Sequence, residues 1–189
     1  MQTPNRMTTV CRILLGSLLL MLSMLSPAPA HAAAYLVDLP GPSGSARFGS
    51  SVTALPNGNF VVTDPSYNSN MGAAFLYSPD RVLISKLTGD FFIGQVGSGG
   101  VTVLTNGNYL VRSPSWGAST TFALGAVTWC SQVTGCSGDV SASNSLVGSS
   151  ANDAVSADMW GGMTVLSNGN YLVRSPNWGA STTFALGAV

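Results

Sequence analysis

"GVTVLTNGNYLVRSP", Gly100 to Pro114, places two short apolar runs on either side of Asn106-Gly107-Asn108. Both runs are rich in β-branched and aromatic residues, which pack well on a pleated sheet. An Asn-Gly step between such runs is a strong local hairpin signal, and the turn it favours is type I′, with positive φ at both central residues. The arrangement recurs around Asn57-Gly58-Asn59, between "SSVTALP" and "FVVTDP", and around Asn168-Gly169-Asn170, between "GMTVLS" and a second "YLVRSP". The triplets are 49 and 62 residues apart, so the chain repeats itself.

A third strand is expected after each hairpin, in "GAAFLYSP" (Gly72–Pro79), "FALGAVTWC" (Phe122–Cys130) and the closing "FALGAV". A fourth is legible twice, in "VLISKLTGD" from Val82 and "VSASNSLVGSS" from Val140. One unit is thus a four-stranded meander. A sheet that small does not bury both faces unaided. Yet "FVVTD" and "YLVRS" are apolar at neighbouring positions, as in strands covered on both sides. The units must therefore lean on one another.

The fold class expected is all-β, a β-propeller-like array of four-stranded antiparallel repeats, incomplete at about two and a half blades, with a stacked β-solenoid as the competing geometry. The expected organisation is a signal peptide at 1–32, an orphan strand (Tyr35–Leu39) and linker at 33–46, repeat 1 at 47–97, repeat 2 at 98–160, and a truncated repeat 3 at 161–189. The orphan strand aligns with the end of a unit, as a ring-closing strand would. From Gly99 to Val127 and from Gly161 to Val189 the copies differ only at Val101/Met163, Thr105/Ser167 and Ser115/Asn177, the mark of duplication. A piece of a longer repeat protein is the expectation, because an unclosed stack exposes a sheet edge.

The N-terminus carries its own signal. Arg6 and Arg12 flank "ILLGSLLLMLSML", Pro27 ends the apolar run, and Ala30-His31-Ala32 offers small residues at a cleavage position. Charge, apolar core and A-x-A in that order describe a secretory signal peptide. As a helix the run reaches only about 20 Å, short of the roughly 30 Å hydrocarbon core. The expected compartment is extracellular or the cell surface, with no membrane insertion once the signal is cleaved.

Removal of residues 1–32 takes the only histidine, His31, and leaves five cationic side chains against seven aspartates, a formal charge of −2 with no glutamate. No basic field exists to draw nucleic acid or anionic lipid. Histidine-based nucleophilic catalysis lacks its base, and zinc would find two cysteines as its whole His/Cys supply. Asp64, Asp80, Asp90, Asp139, Asp153 and Asp158 fall at no equivalent places in successive units, and most sit beside turn residues. "GQVGSGG", Gly94 to Gly100, lacks the Lys-Ser/Thr of a phosphate loop and reads as a connection between units. Neither enzyme, metal nor cofactor is expected.

Cys130 and Cys136, in "CSQVTGC", straddle a Gly-containing turn, and in an exported chain such a pair reads as a disulfide. Arg112 and Arg174 recur in "YLVRSP", and Trp116 and Trp178 in "SPSWG" and "SPNWG". These four are the candidate binding residues, since aromatic faces and arginine recognise sugars and carboxylates. The alternative makes each tryptophan an inter-unit packing residue and each arginine a cap on loop carbonyls, and recurrence in step with the architecture favours it. In the first unit Thr63 and Tyr67 take the two positions.

"RFGSSVTALPNGNFVVTDPSYNSNMGAAFLYSP", Arg47 to Pro79, resembles the FG-GAP repeat of integrin-α-like propellers. Phe48-Gly49 stands for the Phe-Gly, Asp64-Pro65 for the segment near the Gly-Ala-Pro, and Gly72-Ala73 for the small pair entering the third strand. Calcium-binding members carry an aspartate-rich loop where this chain has the tight "LPNGNF", so the resemblance does not bring calcium with it. The later units, through "NGNYLVRSPSWG" to "VSASNSLVGS", resemble an uncharacterised repeat of very large bacterial exoproteins, including haemagglutinin-like adhesins and autotransporter passengers. That resemblance implies surface display and no active residues. The function expected is a structural, adhesin-like repeat protein, with a propeller that recognises a glycan or cell-surface protein through inter-unit loops as the alternative. Its other expected partners are further repeats of a longer chain.

Overall fold

Each Asn-Gly-Asn triplet does turn the chain back on itself, and does so three times in the same way. The structure, a computed structural model, describes residues 37–117, 121–157, 162–179 and 187. The expected signal peptide, Tyr35, Asp158 and all but Gly187 of the closing "FALGAV" lie outside the described residues. The chain divides at Asp38 into two units. Of the first only Val37 and Asp38 are described, exposed and outside any strand; all that follows concerns the second, Leu39–Val189.

The first sheet runs β1 (Ser51–Ala54), β2 (Phe60–Asp64), β3 (Ala73–Tyr77) and β4 (Leu83–Thr88), each antiparallel to the next. The second repeats it with β5 (Val101–Val103), β6 (Tyr109–Ser113) and β7 (Ala126–Cys130), and its fourth strand is β9 (Ser145–Val147). The third is described as one hairpin, β10 (Met163–Val165) with β11 (Tyr171–Val173). The fold class is all-β. Helix appears only as a four-residue turn, Tyr67–Asn70, among the described residues.

The turn type differs from expectation. Only the glycine of each triplet has positive φ (88° at Gly58, 86° at Gly107, 87° at Gly169). Gly58 N donates to Leu55 O at 3.0 Å and Leu55 N to Asn59 O at 2.8 Å, so the loop has three residues, not two. The same pair of bonds closes the hairpins at Leu104 and Leu166. This is a β-turn followed by a left-handed glycine bulge. Asparagine selects it by using its side chain: Asn57 Oδ1 accepts the Asn59 N–H at 3.1 Å, Asn106 that of Asn108 at 3.1 Å, and Asn168 that of Asn170 at 3.0 Å.

The core lies between sheets. Along β2, Val61 points toward the second sheet and Val62 away from it; along β6, Tyr109 and Val111 face the first sheet and Leu110 the third. Val61, Leu76 and Leu87 meet Tyr109, Val111, Trp116 and Val140 in one buried cluster. Leu104, Leu110, Val127 and Val155 meet Val173, Met163, Val165 and Tyr171 in the next. The period of two puts alternate residues into different clusters, which is why the strands read as continuously apolar. Each fully buried Val, Leu or Phe contributes about 1.5–3 kcal/mol, and the larger share here depends on a neighbouring unit. The first sheet's other face is closed by its own aromatics: Phe48 and Tyr67 meet Phe75 edge-on at 5.6 and 5.4 Å, and Phe60 stacks on Tyr77 at 5.5 Å.

One connection closes each unit on itself and a second binds neighbouring units. The loop after each fourth strand returns beneath the third, where Val96 bridges Gly72 and Val155 bridges Gly125, both parallel. The second unit also sends β8 (Gly138–Asp139) parallel along β4, making a fifth strand of the first sheet. The expected fourth strand from Val140 therefore begins later, at Ser145, and Val140 itself goes into the shared core. β8 covers an edge that would otherwise be open.

Candidate functional site

The hairpin tips stand in a row and bond to one another. Asn57 Nδ2 and Asn59 Nδ2, in the first unit, both donate to Gln132 O at 2.8 Å. Gln132 N donates to Asn108 Oδ1 at 3.1 Å, and Gln132 Nε2 to Asn106 O at 3.2 Å. Thr105 Oγ1 donates to Leu166 O at 3.2 Å in the third tip. Gln132 reaches this row because the disulfide Cys130–Cys136, present as expected, folds its loop back over the tips.

Of the candidate binding residues, Trp116 is buried in the core between the first two sheets and Trp178 packs against the core between the second and third. Tyr67, their counterpart, sits over Phe75 in the first sheet's outer cluster. Arg112 Nη2 donates to the Gly99 carbonyl, while Arg174 is solvent-exposed. The four do not converge on one opening: the two tryptophans belong to different cores.

The aspartates divide by environment. Asp64, fully buried, accepts the N–H groups of Ala46 (3.0 Å), Arg47 (2.9 Å) and Ser66 (3.1 Å). Its counterpart in the second unit, Ser113, accepts Gly97 N at 3.1 Å, so this position holds the incoming linker in both units. Asp153, also fully buried, accepts Ser149 N, Ser150 N and Gly179 N at 2.7–2.8 Å and Ser149 Oγ at 3.2 Å. Burial pushes its carboxyl up, but the donors from Ser150, Gly179 and Ser149 outweigh that and hold it below the usual range. Asp80, Asp90 and Asp139 are exposed.

Asp90 and Asp139 meet in a cleft of about 310 Å³ at the end of β4, with Tyr67, Asn68, Met71, Lys86, Thr88 and Gly89. Asp139 enters from the second unit on β8, where Thr88 Oγ1 donates to its Oδ1 at 2.5 Å. Lys86 Nζ lies 5.2 Å above the Tyr67 ring and 3.4 Å from its hydroxyl. Asn68, in the lining, opens a run of positive φ that continues through Ser69 and Asn70 (47°, 61° and 68°). Asparagine tolerates that conformation better than most L-residues, for which it costs about 1–2 kcal/mol each. Strained backbone of this kind concentrates at functional sites. The cleft offers one ammonium, two carboxylates, two hydroxyls and an amide, groups that suit a hydroxyl-rich ligand.

Reading along the chain missed this cleft because its wall residues span positions 67–90 and then jump to 139. One signal was present: Lys86 is the only lysine in the sequence.

A family model described as a repeat of unknown function (DUF5650) matches residues 103–157 and 165–189. The two matches begin at the last residue of β5 and of β10, equivalent places in successive units. No curated protein matches the chain.

Proposed function

We propose that this chain is a modular structural segment of an exported bacterial surface protein. Its task is to set successive small sheets at a fixed spacing and to present their nearly uncharged faces, as an adhesin stalk does. The observation that carries this reading is that each pair of neighbouring repeats shares a core. The matched repeat supports a modular role; the N-terminal charge, apolar run and Ala30-His31-Ala32 support export. The resemblance of Arg47–Pro79 to FG-GAP units supports a propeller-type arrangement of the repeats in a longer chain. Export is tested by expressing the full chain in a bacterial host and sequencing the released product: an N-terminus at Ala33 is expected, and a chain retained uncleaved in the cytoplasm contradicts it. Adhesion is tested with protein-coated beads on bacterial and host cells, where no binding above uncoated beads counts against it.

The cleft at Lys86 favours a second reading, recognition of a glycan through inter-unit loops. Here Lys86→Ala and Asp139→Asn are better probes than Trp116→Ala, which would disturb a core. A glycan-array signal lost in both variants, with unfolding midpoints unchanged, supports recognition. A signal that persists in both excludes this cleft.

A further inference from the structure

The first and second sheets can be compared position by position on the face each turns toward the following unit. In the first sheet Val61 is opposite Leu76, and Ala74 opposite Leu87. In the second, Leu110 is opposite Trp129, and Val127 opposite Leu146. Leu76 and Trp129 are therefore equivalent, as are Leu87 and Leu146. Their burial is not: Leu76 and Leu87 are 1% and 0% exposed, Trp129 and Leu146 47% and 49%.

The difference has a visible source. On both sheets the inner half of this face is covered by the following unit's first hairpin, so Val61 and Leu110 are fully buried alike. On the first sheet the outer half is covered by Gly135–Val140, the segment that leaves the second unit's third strand. A methyl group on Gly135 would lie 3.1 Å from Leu76 Cδ2 and 2.8 Å from Ser85 Cβ. Cys136 and Val140 pack in the same cluster, and β8 pairs with Leu87 and Thr88.

We propose that Trp129 and Leu146 form a docking surface for a second disulfide-loop segment of the same kind as Gly135–Val140, laid along β9 as that segment lies along β4. The inference rests on the modular reading above and names the surface through which the module is extended. An exposed Trp beside an exposed Leu is an apolar patch of the sort that marks interaction surfaces, and Trp is among the residues enriched as anchors of such interfaces. The equivalent, occupied site one repeat earlier says what fits there: a short parallel strand with a close-approaching glycine and a following valine.

The test compares this chain with the same chain extended after Val189 by a copy of Thr128–Ser149, by hydroxyl-radical footprinting read residue by residue. In the present chain Trp129 and Leu146 are expected to label strongly and Leu76 and Leu87 weakly. In the extended chain, labelling at Trp129 and Leu146 is expected to fall to the protection of Leu76 and Leu87, with the added cysteine pair oxidised. Persistent labelling at Trp129 overturns the proposal whether the added disulfide forms or not, as does concentration-dependent self-association of the unextended chain that protects Trp129. Leu110 separates the two readings. It stays protected in both chains if units share cores, and heavy labelling there would bring down the modular reading itself.

Discussion

The carbonyl of Gln132 lies 2.8 Å from Asn59 Nδ2, joining the second unit's disulfide loop to the first unit's hairpin tip. Asn59 is nearly buried, whereas Asn170, its third-unit counterpart, is exposed. Asn59→Ala is expected to cost about 1–2 kcal/mol, the loss of a largely desolvated hydrogen bond. Asn170→Ala should fall within about 0.5 kcal/mol. Urea midpoints of the two variants check this; equal losses would mean that the loop-to-tip bond contributes nothing.

Gly125 is held at φ 73° against the returning loop, and a Cβ there would come within 2.5 Å of Val155 O and 2.7 Å of Ala154 C. Gly138 has a similar φ of 82° and open space around it. Gly125→Ala should cost more than about 3 kcal/mol or prevent folding, since backbone must move. Gly138→Ala should cost about 1 kcal/mol of backbone strain alone. Thermal melts of both distinguish crowding from strain.

Asp153 ties Ser149 and Ser150, at the end of the second unit, to Gly179 in the third. Its carboxyl is held below the ordinary value, so its contribution to stability is complete above the unfolded value of about 3.9 and disappears as pH falls through the lower, folded value. Asp153→Asn should lower stability at neutral pH by about 2–3 kcal/mol, the cost of damaging charge-assisted bonds at a buried site. Its stability should then change less with pH than the parent's below about pH 4. Tyr109 moves the other way: burial pushes its phenol up, with the Ser85 bond acting against it. Its contribution is full below the unfolded value of about 10 and is lost as pH rises beyond it. Urea denaturation across pH reads both.

Reduction of Cys130–Cys136 releases a six-residue separation and should cost about 2 kcal/mol, as expected for so short a loop. Because the same loop covers Leu76 and carries Gln132, reduction should also loosen the first unit. Hydrogen exchange at β4 with and without reductant checks that; a change confined to the loop would show that the bridge acts locally.

The repeat, the three hairpins, the third and fourth strands of the first two units and the two-sided burial were legible because they follow from local period and composition. The turn type was not. An Asn-Gly pair fits several hairpin loops, and the choice depends on whether Leu55 pairs with Asn59, which the dipeptide does not encode. β8 was missed because a linear reading assigns each strand to its own unit, whereas Gly138–Asp139 crosses to the preceding one. The cleft escaped for the same reason, since Asp139 reaches it only by that crossing. The placing of Asp64 and Asp153 as linker anchors depends on distant N–H groups at Ala46, Arg47 and Gly179 that no motif announces.

That successive units complete one another's cores is tested most directly by hydrogen exchange on Leu110→Ala. Leu110 belongs to the second sheet, yet its side chain lies in the core shared with the third unit's hairpin. The truncation should cost about 2–5 kcal/mol, with β10 and β11 amides losing protection while β2 and β3 keep theirs. Unchanged protection in β10 and β11, with the loss confined to the second sheet, would contradict the account.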